Sequence, residues 1–324
     1  MAGPREAQRS RLSVVFIGGL GRSGSTLLDR LLGQQPGCVA VGELGLIWRN
    51  GLTQDRLCGC GTPLRRCAVW ESVAGAAFGG FDAIPAATVR VLQDFWDHRR
   101  RFAAHLLRPG PLGAAARAGL AVYSDHLARL LGAVQVVTGC SVVVDSSKTP
   151  AHLAALLTLP GIDVHVVHLV RDSRAVAYSW RQRRRRSDAP GREEYIEAVP
   201  AWRTAILWTA INLSLWRVRR RARSAQVVRY EDFVAKPGAV VAQILRQSGQ
   251  PVPDALVTRD AWELGVQHTV AGNPMRLQNG PLVVRPDLEW RQRLPVLTRW
   301  VVTACTWPGL WAHGYPLFTT ATDG

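Results

Sequence analysis

Lysine is nearly absent from this sequence of 324 residues, in which only Lys148 and Lys236 occur. Acidic residues are also few, because 24 Asp+Glu stand against 40 Lys+Arg and leave a formal net charge of +16. The basic charge is therefore almost entirely arginine. Arginine suits the bidentate binding of phosphate and sulfate, although the same bias also follows from genome base composition and then says nothing about function.

Long apolar runs are missing too. No run reaches the roughly 18–20 residues that a membrane span needs, and the short run at 13–20 is not followed by a signal-peptide cleavage site. The sequence thus predicts a soluble, cytoplasmic protein without a membrane span. Only six cysteines occur, and a chain of this size folds without disulfides, so we expect reduced thiols.

Hydrophobic residues make up 47% of the chain and charged residues 20%, which is typical of a globular protein with a packed core. Five β-rich segments alternate with helical stretches, and most are continuous valine-rich runs, as in buried parallel strands. We therefore predict one α/β domain over 1–324, with a central, mainly parallel five-stranded sheet between two helical layers. The five segments are 13–19, 38–43, 141–147, 163–170 and 225–233.

About a hundred residues separate the second and third segments, which predicts a loop and helical insertion at about 50–140. Its helical signals, over 86–135, are broken by "RPGPLG". Its first part carries Cys58, Cys60 and Cys67, a C-x-C-x₆-C spacing that differs from the two-by-two zinc pattern and has no adjacent fourth ligand. We predict no metal site and assign these cysteines no role.

The later part of the chain has three further features. A helical stretch covers 193–222 and ends in a run of arginines. From 265 onward the sequence is rich in turn residues, which indicates a structured loop that crosses a surface. A final helix is predicted near 291–304.

A glycine-rich turn follows the first strand, in "GLGRSGSTLLDRLLGQ", and leads into a helix that begins near Thr26. Such a turn presents backbone N–H groups and a helix N-terminus to an anion. Gly19 and Gly24 have the G-x-x-x-x-G spacing of a nucleoside-triphosphate loop, which predicts a P-loop-like fold. Ser25 stands where that motif requires lysine, and the cation of the loop is instead Arg22. A turn that serves packing alone is the alternative.

The segment "RSGSTLL" at 22–28 resembles the 5′-phosphosulfate loop of sulfotransferases that use 3′-phosphoadenosine 5′-phosphosulfate (PAPS). The similarity is to the carbohydrate, tyrosyl-protein and many bacterial branches of that family. It implies that the 5′-phosphosulfate is held by Arg22, Ser23, Gly24, Ser25 and Thr26.

A second motif, "HLVRDSRAVAYSWR", ends the fourth β-rich segment and resembles the family's R-D-P-R-[AD]-x-x-x-S, with Ser173 in the proline position. The resemblance implies that Arg171 and Ser179 bind the 3′-phosphate, through a charge-assisted pair and a directional hydroxyl contact. ATP has no 3′-phosphate. The late loop at 268–290 is also similar to the family, which makes Asn273 and Arg276 candidate PAPS contacts, against the alternative of a structural turn.

Glu43 follows the second strand, where the carbohydrate and tyrosyl-protein branches place a catalytic glutamate, so we interpret it as the general base. A structural ion pair is the alternative, and His126 or His152 would serve in a histidine-based mechanism. Lys148 follows the third strand, and its ammonium group suits the bridging oxygen of a leaving phosphate. Ser147 is a candidate contact of the 5′-phosphate.

The sequence therefore predicts an enzyme that moves a sulfonyl group from PAPS to an acceptor hydroxyl, releases PAP and needs no metal. We expect a small-molecule or carbohydrate acceptor, such as a sugar or secondary metabolite, and no nucleic-acid partner. Two alternatives remain at this point. A P-loop kinase or NTPase with a decayed loop lacks the loop lysine, and a non-enzymatic nucleic-acid binder is supported by the net charge alone.

Overall fold

The computed structural model describes residues 11–97, 113–186, 188–189 and 193–318. Its strands are β1 Ser13–Gly18, β2 Cys38–Gly42, β3 Val142–Lys148, β4 Asp163–Val170, β5 Arg184–Arg185, β6 Tyr195–Ile196, β7 Ser224–Arg229, β8 Ala261–Leu264 and β9 Gly280–Val283. Its α-helices are α1 Ser25–Leu32, α2 Ala68–Phe78, α3 Ala86–Asp97, α4 Ala114–Thr138, α5 Pro150–Leu156, α6 Ser173–Trp180, α7 Ala201–Val218, α8 Tyr230–Ala235, α9 Pro237–Gln247, α10 Asp254–Val257, α11 Glu289–Arg293 and α12 Val296–Ala312.

Five strands form one parallel sheet in the order β2-β3-β1-β4-β7. The central strand is β1, in which Ser13 is paired with Val142 of β3 on one side and with Asp163 of β4 on the other. Valine-rich strands fit this sheet because both of its faces are buried under helices. The predicted α/β fold of three layers is confirmed.

Successive residues of β1 point to opposite faces of the sheet and so divide the core in two. Val14 and Phe16 pack with side chains of α2, α4, α5 and α7. Val15 and Ile17 pack with side chains of α1, α8 and α9. Each such buried side chain contributes roughly 1.5–3 kcal/mol relative to its exposed state. With both faces covered, the loops at the carboxyl edge of the sheet remain available for a site.

The insertion between β2 and β3 begins with a 3₁₀ turn and a π-helical segment, Ile47–Thr53, and continues through α2, α3 and α4. Tyr123 and Leu127 of α4 lie in the same apolar cluster as Val14 of β1. The predicted break at 108–113 lies outside the described residues, except for Gly113. Even with α4 at 25 residues, none of the described helices is both long and apolar enough to cross a membrane.

Three boundaries differ from the sequence-based expectation. The fifth main strand ends at Arg229, and residues 230–235 are helical because acidic side chains of the first turn complement the helix N-terminus. The long helix expected from 193 begins only after Pro200. Pro295 divides the final helical stretch into α11 and α12, since proline cannot donate to the helical hydrogen-bond ladder.

The turn-rich segment after 265 folds against α1. It contains a 3₁₀ turn, Pro274–Leu277, and ends in β9, which forms an antiparallel pair with β8. Arg30 of α1 donates from Nη1 to the carbonyl oxygen of Met275 at 2.7 Å. The segment therefore forms a wall beside the helix that follows the glycine-rich loop.

Candidate active site

An open cleft of about 450 Å³ lies at the carboxyl edge of the parallel sheet. It is where ligands gather in open α/β sheets, because loops from several strands converge there. Most of the residues singled out from the sequence line it. These are Arg22, Gly24, Ser25, Thr26, Glu43, Ser147, Lys148, Arg171, Ser179 and Asn273.

The glycine-rich loop is shaped by two close approaches. A side chain at Gly19 would place its Cβ 2.3 Å from the carbonyl oxygen of Leu169, so only glycine fits beside β4. Gly24 has φ of 88° and immediately precedes α1, where the first N–H groups of a helix have no intrahelical acceptor. The buried hydroxyl of Ser23 has no hydrogen-bond partner among the described atoms. The first N–H groups of α1 are thus the donors that this loop offers to an anion.

The two cations nearest this loop have unusual backbone conformations. Arg22 has φ of 76° and Lys148 has φ of 70°, which costs a side-chain-bearing residue about 1 kcal/mol or more. The guanidinium of Arg22 lies over the ring of Trp180, 5.2 Å from its centroid. Burial, and then the charge of Arg184, lower the pKa of Arg22 from its usual value. Strain of this kind at two cations is typical of a binding site.

Glu43 and Lys148 form an ion pair, with Lys148 Nζ 2.6 Å from Glu43 Oε1. Both side chains are largely buried, and each follows a strand of the sheet, β2 for Glu43 and β3 for Lys148. The candidate base and the candidate cation for the leaving group are thus neighbours at one point of the cleft.

Ser147 belongs to a buried hydrogen-bond network below the cleft. Its hydroxyl donates to Asp145 Oδ1 at 2.5 Å and accepts from the N–H of Gly45 at 3.0 Å. The other oxygen of Asp145 is 2.6 Å from His152 Nε2, and Tyr123 completes the network at 2.8 Å from His152 Nδ1. Ser147 therefore holds the loop that follows Glu43.

The histidines considered as alternative bases both lie away from the cleft. His152 is fully buried in the network around Asp145. His126 of α4 lies between the rings of Trp48 and Phe78, and its Nδ1 is 2.9 Å from the carbonyl oxygen of Val122. The structure thus brings Glu43, and neither histidine, to the cleft.

Arg171 at the end of β4 lies over the ring of Tyr230, 4.3 Å from its centroid. Its guanidinium donates to the carbonyl oxygen of Arg22 at 3.0 Å and to Asp287 Oδ2 at 2.9 Å. Arg171 Nε is buried without a partner among the described atoms. Ser179 lines the same cleft two turns into α6. The two side chains predicted to bind one phosphate thus line the same cleft.

The two candidate PAPS contacts of the late loop, Asn273 and Arg276, lie in different places. Asn273 lines the cleft, and its N–H donates to Thr26 Oγ1 at 3.1 Å. Arg276 is buried outside the cleft lining and donates to the carbonyl oxygens of Leu57, at 2.6 Å, and Thr269, at 2.9 Å. The structure therefore does not place Arg276 with the other candidate PAPS contacts.

Sequence reasoning missed several residues of the cleft. Their positions depend on tertiary folding, although Trp180 and Tyr230 each lie beside a motif that the sequence made visible. Among the described residues of the lining, the cations outnumber the carboxylates, since only Glu43 and Asp287 are acidic. The cleft therefore suits an anionic ligand. The missed residues are Arg49, Trp180, Arg184, Tyr230 and Asp287.

Comparison with known proteins identifies the family of this chain. A model of the sulfotransferase family matches residues 14–254, which include the glycine-rich loop, Glu43, Lys148 and Arg171. This chain belongs to the sulfotransferase family. Its members generally use PAPS as donor and release PAP. No curated protein is similar enough in sequence to refine the assignment of this sulfotransferase.

Two solved structures share the fold of this sulfotransferase. The sulfotransferase domain of the Synechococcus PCC 7002 olefin synthase is 21% identical, with a TM-score of 0.51 over 98% of this chain and 100% of that chain. The sulfotransferase domain from the curacin biosynthetic pathway is 16% identical, with a TM-score of 0.52 over 94% of this chain and 99% of that chain. At these identities, the likeness establishes the fold.

Proposed function

We propose that this sulfotransferase moves the sulfonyl group of PAPS to a hydroxyl of a small-molecule or carbohydrate acceptor. The observation that carries the proposal is that two anion-binding groups share one cleft. The loop 22–26 with Lys148 forms one group, and Arg171 with Ser179 forms the other. A nucleotide with phosphates on both the 5′ and 3′ positions has the charges to fill both.

At the 5′ end, the N–H groups before α1 and the hydroxyls of Ser25 and Thr26 face the phosphosulfate. Arg22 adds a positive charge, and Trp180 holds it in place through two contacts. The guanidinium of Arg22 lies over the indole ring, and the indole Nε1 donates to the carbonyl oxygen of the preceding residue, Gly21, at 3.0 Å. Preorganised donors and cations of this kind stabilise negative charge without reorganisation during the reaction.

At the 3′ end, Arg171 pairs with the phosphate and the hydroxyl of Ser179 adds a directional contact. A guanidinium and a phosphate form short, charge-assisted hydrogen bonds. A 3′-phosphate site distinguishes PAPS from ATP, and thus favours sulfonyl transfer over the phosphoryl-transfer alternative.

Glu43 is the general base of the proposed reaction. The acceptor oxygen forms a bond to sulfur while the bond from sulfur to the bridging oxygen of PAPS breaks, and the acceptor proton passes to Glu43. The leaving phosphate of PAP keeps the electron pair of the broken bond, and Lys148 stabilises the charge that develops there. The ion pair between Glu43 and Lys148 supports this assignment because it keeps both groups at the point of transfer.

The decisive experiment is a transfer assay with sulfur-labelled PAPS against a panel of sugars and hydroxylated metabolites, with and without magnesium. We expect transfer in EDTA, because protein cations carry the charge that magnesium carries in an NTPase. PAP should raise the melting temperature equally in either condition, whereas ATP with magnesium should change it little. A shift that requires magnesium and favours ATP would support a kinase instead.

A further inference from the structure

Four side chains with metal-binding atoms converge outside the cleft. Cys58, Cys60 and Cys67 belong to the loop before α2, and His268 comes from the late segment after β8. Their three sulfurs and one imidazole nitrogen all lie within 4.8 Å of one another. Cys60 Sγ is 3.7 Å from Cys67 Sγ, and His268 Nδ1 is 3.1 Å from Cys67 Sγ and 4.0 Å from Cys58 Sγ.

We propose that these four residues bind one structural zinc ion. Three thiolates and an imidazole form one of the ligand sets that zinc adopts in structural sites. A tetrahedral ion with Zn–S bonds of about 2.3 Å and Zn–N bonds of about 2.0 Å places its sulfurs about 3.8 Å apart and sulfur about 3.5 Å from nitrogen. The observed separations lie around these values. Four protein ligands complete the tetrahedron, so the site has no open position for water or substrate.

The backbone holds the two ligand-bearing segments together independently of a metal. The N–H of Gly59 donates to the carbonyl oxygen of Thr269 at 2.9 Å, and Trp70 Nε1 donates to the carbonyl oxygen of His268 at 2.9 Å. A Cβ at Gly59 would lie 2.3 Å from the carbonyl oxygen of Gln267, so the close approach requires glycine. The ligands are thus preorganised by contacts on both sides of the cluster.

Arg276 fits this site better than the nucleotide cleft. It donates to the carbonyl oxygens of Leu57 and Thr269, the residues that adjoin Cys58 and His268 in the chain. Zinc with three thiolates and one neutral imidazole carries a net negative charge. A buried guanidinium beside it offsets part of that charge, in addition to its contact with Asp188 Oδ2 at 3.6 Å, and orients both ligand segments, as outer partners of metal sites do.

The zinc site would also fix one wall of the cleft. Shortly after His268, the N–H of Val270 donates to the carbonyl oxygen of Val41 in β2 at 2.9 Å. Asn273, which lines the cleft and bonds Thr26, follows three residues later. The metal would therefore join the insertion to the segment that positions the loop before α1.

The test is the zinc content of the full chain, purified without chelators under reducing conditions. We expect about one zinc per chain, and in competition with a chromophoric chelator Cys60→Ser and His268→Ala should each weaken zinc binding at least about tenfold. Cys305→Ser is the matched control, because Cys305 is an exposed thiol on α12 and should leave zinc binding unchanged. Removing zinc from the unaltered chain should lower its melting temperature, and adding zinc back should restore it.

The proposal is overturned if the fully reduced chain takes up no zinc, if iron is the bound metal, or if Cys305→Ser loses as much zinc as Cys60→Ser. It is also overturned if Cys60 and Cys67 are found as a disulfide in the protein as purified. If a variant fails to fold, the melting temperature of the unaltered chain, measured after zinc is removed and after it is added back, decides the question. None of these measurements depends on PAPS or an acceptor, so the proposed sulfonyl transfer stands or fails separately.

Discussion

Arg171 donates to the carboxylate of Asp287 at 2.9 Å, so the guanidinium that we assign to the 3′-phosphate already binds an anion of the protein. The Asp287 side chain is 42% exposed, whereas that of Arg171 is 6% exposed. The arginine is therefore the fixed member of the pair, held over Tyr230, and the aspartate is the member that can leave. If Arg171 binds the 3′-phosphate as proposed, Asp287 competes with the nucleotide for this cation.

Asp287→Asn should tighten PAP binding by about 1.5- to fivefold, because a half-exposed ion pair of this kind contributes about 0.2–1 kcal/mol. Calorimetric titration with PAP measures the change. Adenosine 5′-phosphosulfate, which has no 3′-phosphate, should show a smaller gain. Asp254→Asn removes an exposed carboxylate in α10 and serves as the control. Unchanged or weaker PAP binding in Asp287→Asn would refute the competition.

Arg171→Ala should weaken PAP binding by about 1.5–3 kcal/mol, the usual contribution of a hydrogen bond to a charged group, and Ser179→Ala should weaken it less. The matched titration uses adenosine 5′-phosphosulfate. Arg171 also donates to the backbone carbonyl of Arg22, a contact that Arg171→Ala removes. Arg171→Lys keeps the positive charge and tests whether a point charge alone is enough for PAP binding. If Arg171→Ala weakens both ligands equally, the assignment to the 3′-phosphate is wrong.

Glu43→Gln should lower turnover by roughly 10²–10⁴ and leave PAP affinity nearly unchanged, because the proton acceptor is lost while the nucleotide contacts remain. The measurement pairs labelled-PAPS turnover on an identified acceptor with PAP calorimetry. The same substitution also ends the ion pair with Lys148, so Lys148→Met is measured beside it. Turnover close to that of the unaltered enzyme would exclude Glu43 as the base.

His168 should make the fold sensitive to acid. Burial lowers its pKa to about 3, against a usual value of 6.5, and the charge of Arg219 adds to the shift. The hydrogen bond between its Nε2 and Asn212 Oδ1, at 2.8 Å, raises the pKa but does not offset the effect of burial. Its Nδ1 is buried without a partner among the described atoms, so a proton there would have no acceptor.

Between about pH 6.5 and pH 3, His168 is therefore protonated in the unfolded chain but neutral in the folded chain. The free energy of unfolding should fall by about 1.4 kcal/mol for each pH unit between about 6.5 and 3, from this residue alone. Urea titrations across that range compare the chain with His168→Gln, in which the slope should be shallower by that amount. Parallel slopes would show that His168 does not titrate on unfolding.

The fold was largely predictable because its signal is local. Valine-rich runs specify buried strands, and their alternation with helices specifies a parallel sheet. The glycine-rich loop was equally predictable, because residues 19–24 form one continuous segment. The spacing of its glycines reflects the shape of a single turn. The carboxyl ends of parallel strands meet at one edge, which is why Glu43, Lys148 and Arg171 all line the same cleft.

The remaining features depend on contacts between distant parts of the chain. Cys67 and His268 are 201 residues apart, so no sequence spacing reveals that their side chains are neighbours in the fold. An arginine in a loop beside a predicted site, such as Arg276, gives no sign of where its guanidinium points. Asp287 likewise reaches Arg171 only because the late segment folds back over β4.

The order of strands in the sheet also determines how the chain matures during synthesis. β1 is made first, yet both of its neighbours, β3 and β4, come more than 120 residues later. At about 5–20 residues per second, roughly 8–30 s pass before β1 gains its second partner at residue 170. Throughout that interval the apolar strand Ser13–Gly18 keeps at least one unpaired edge. We therefore expect chaperones to bind this part of the chain during synthesis, because an unpaired edge can pair with other chains.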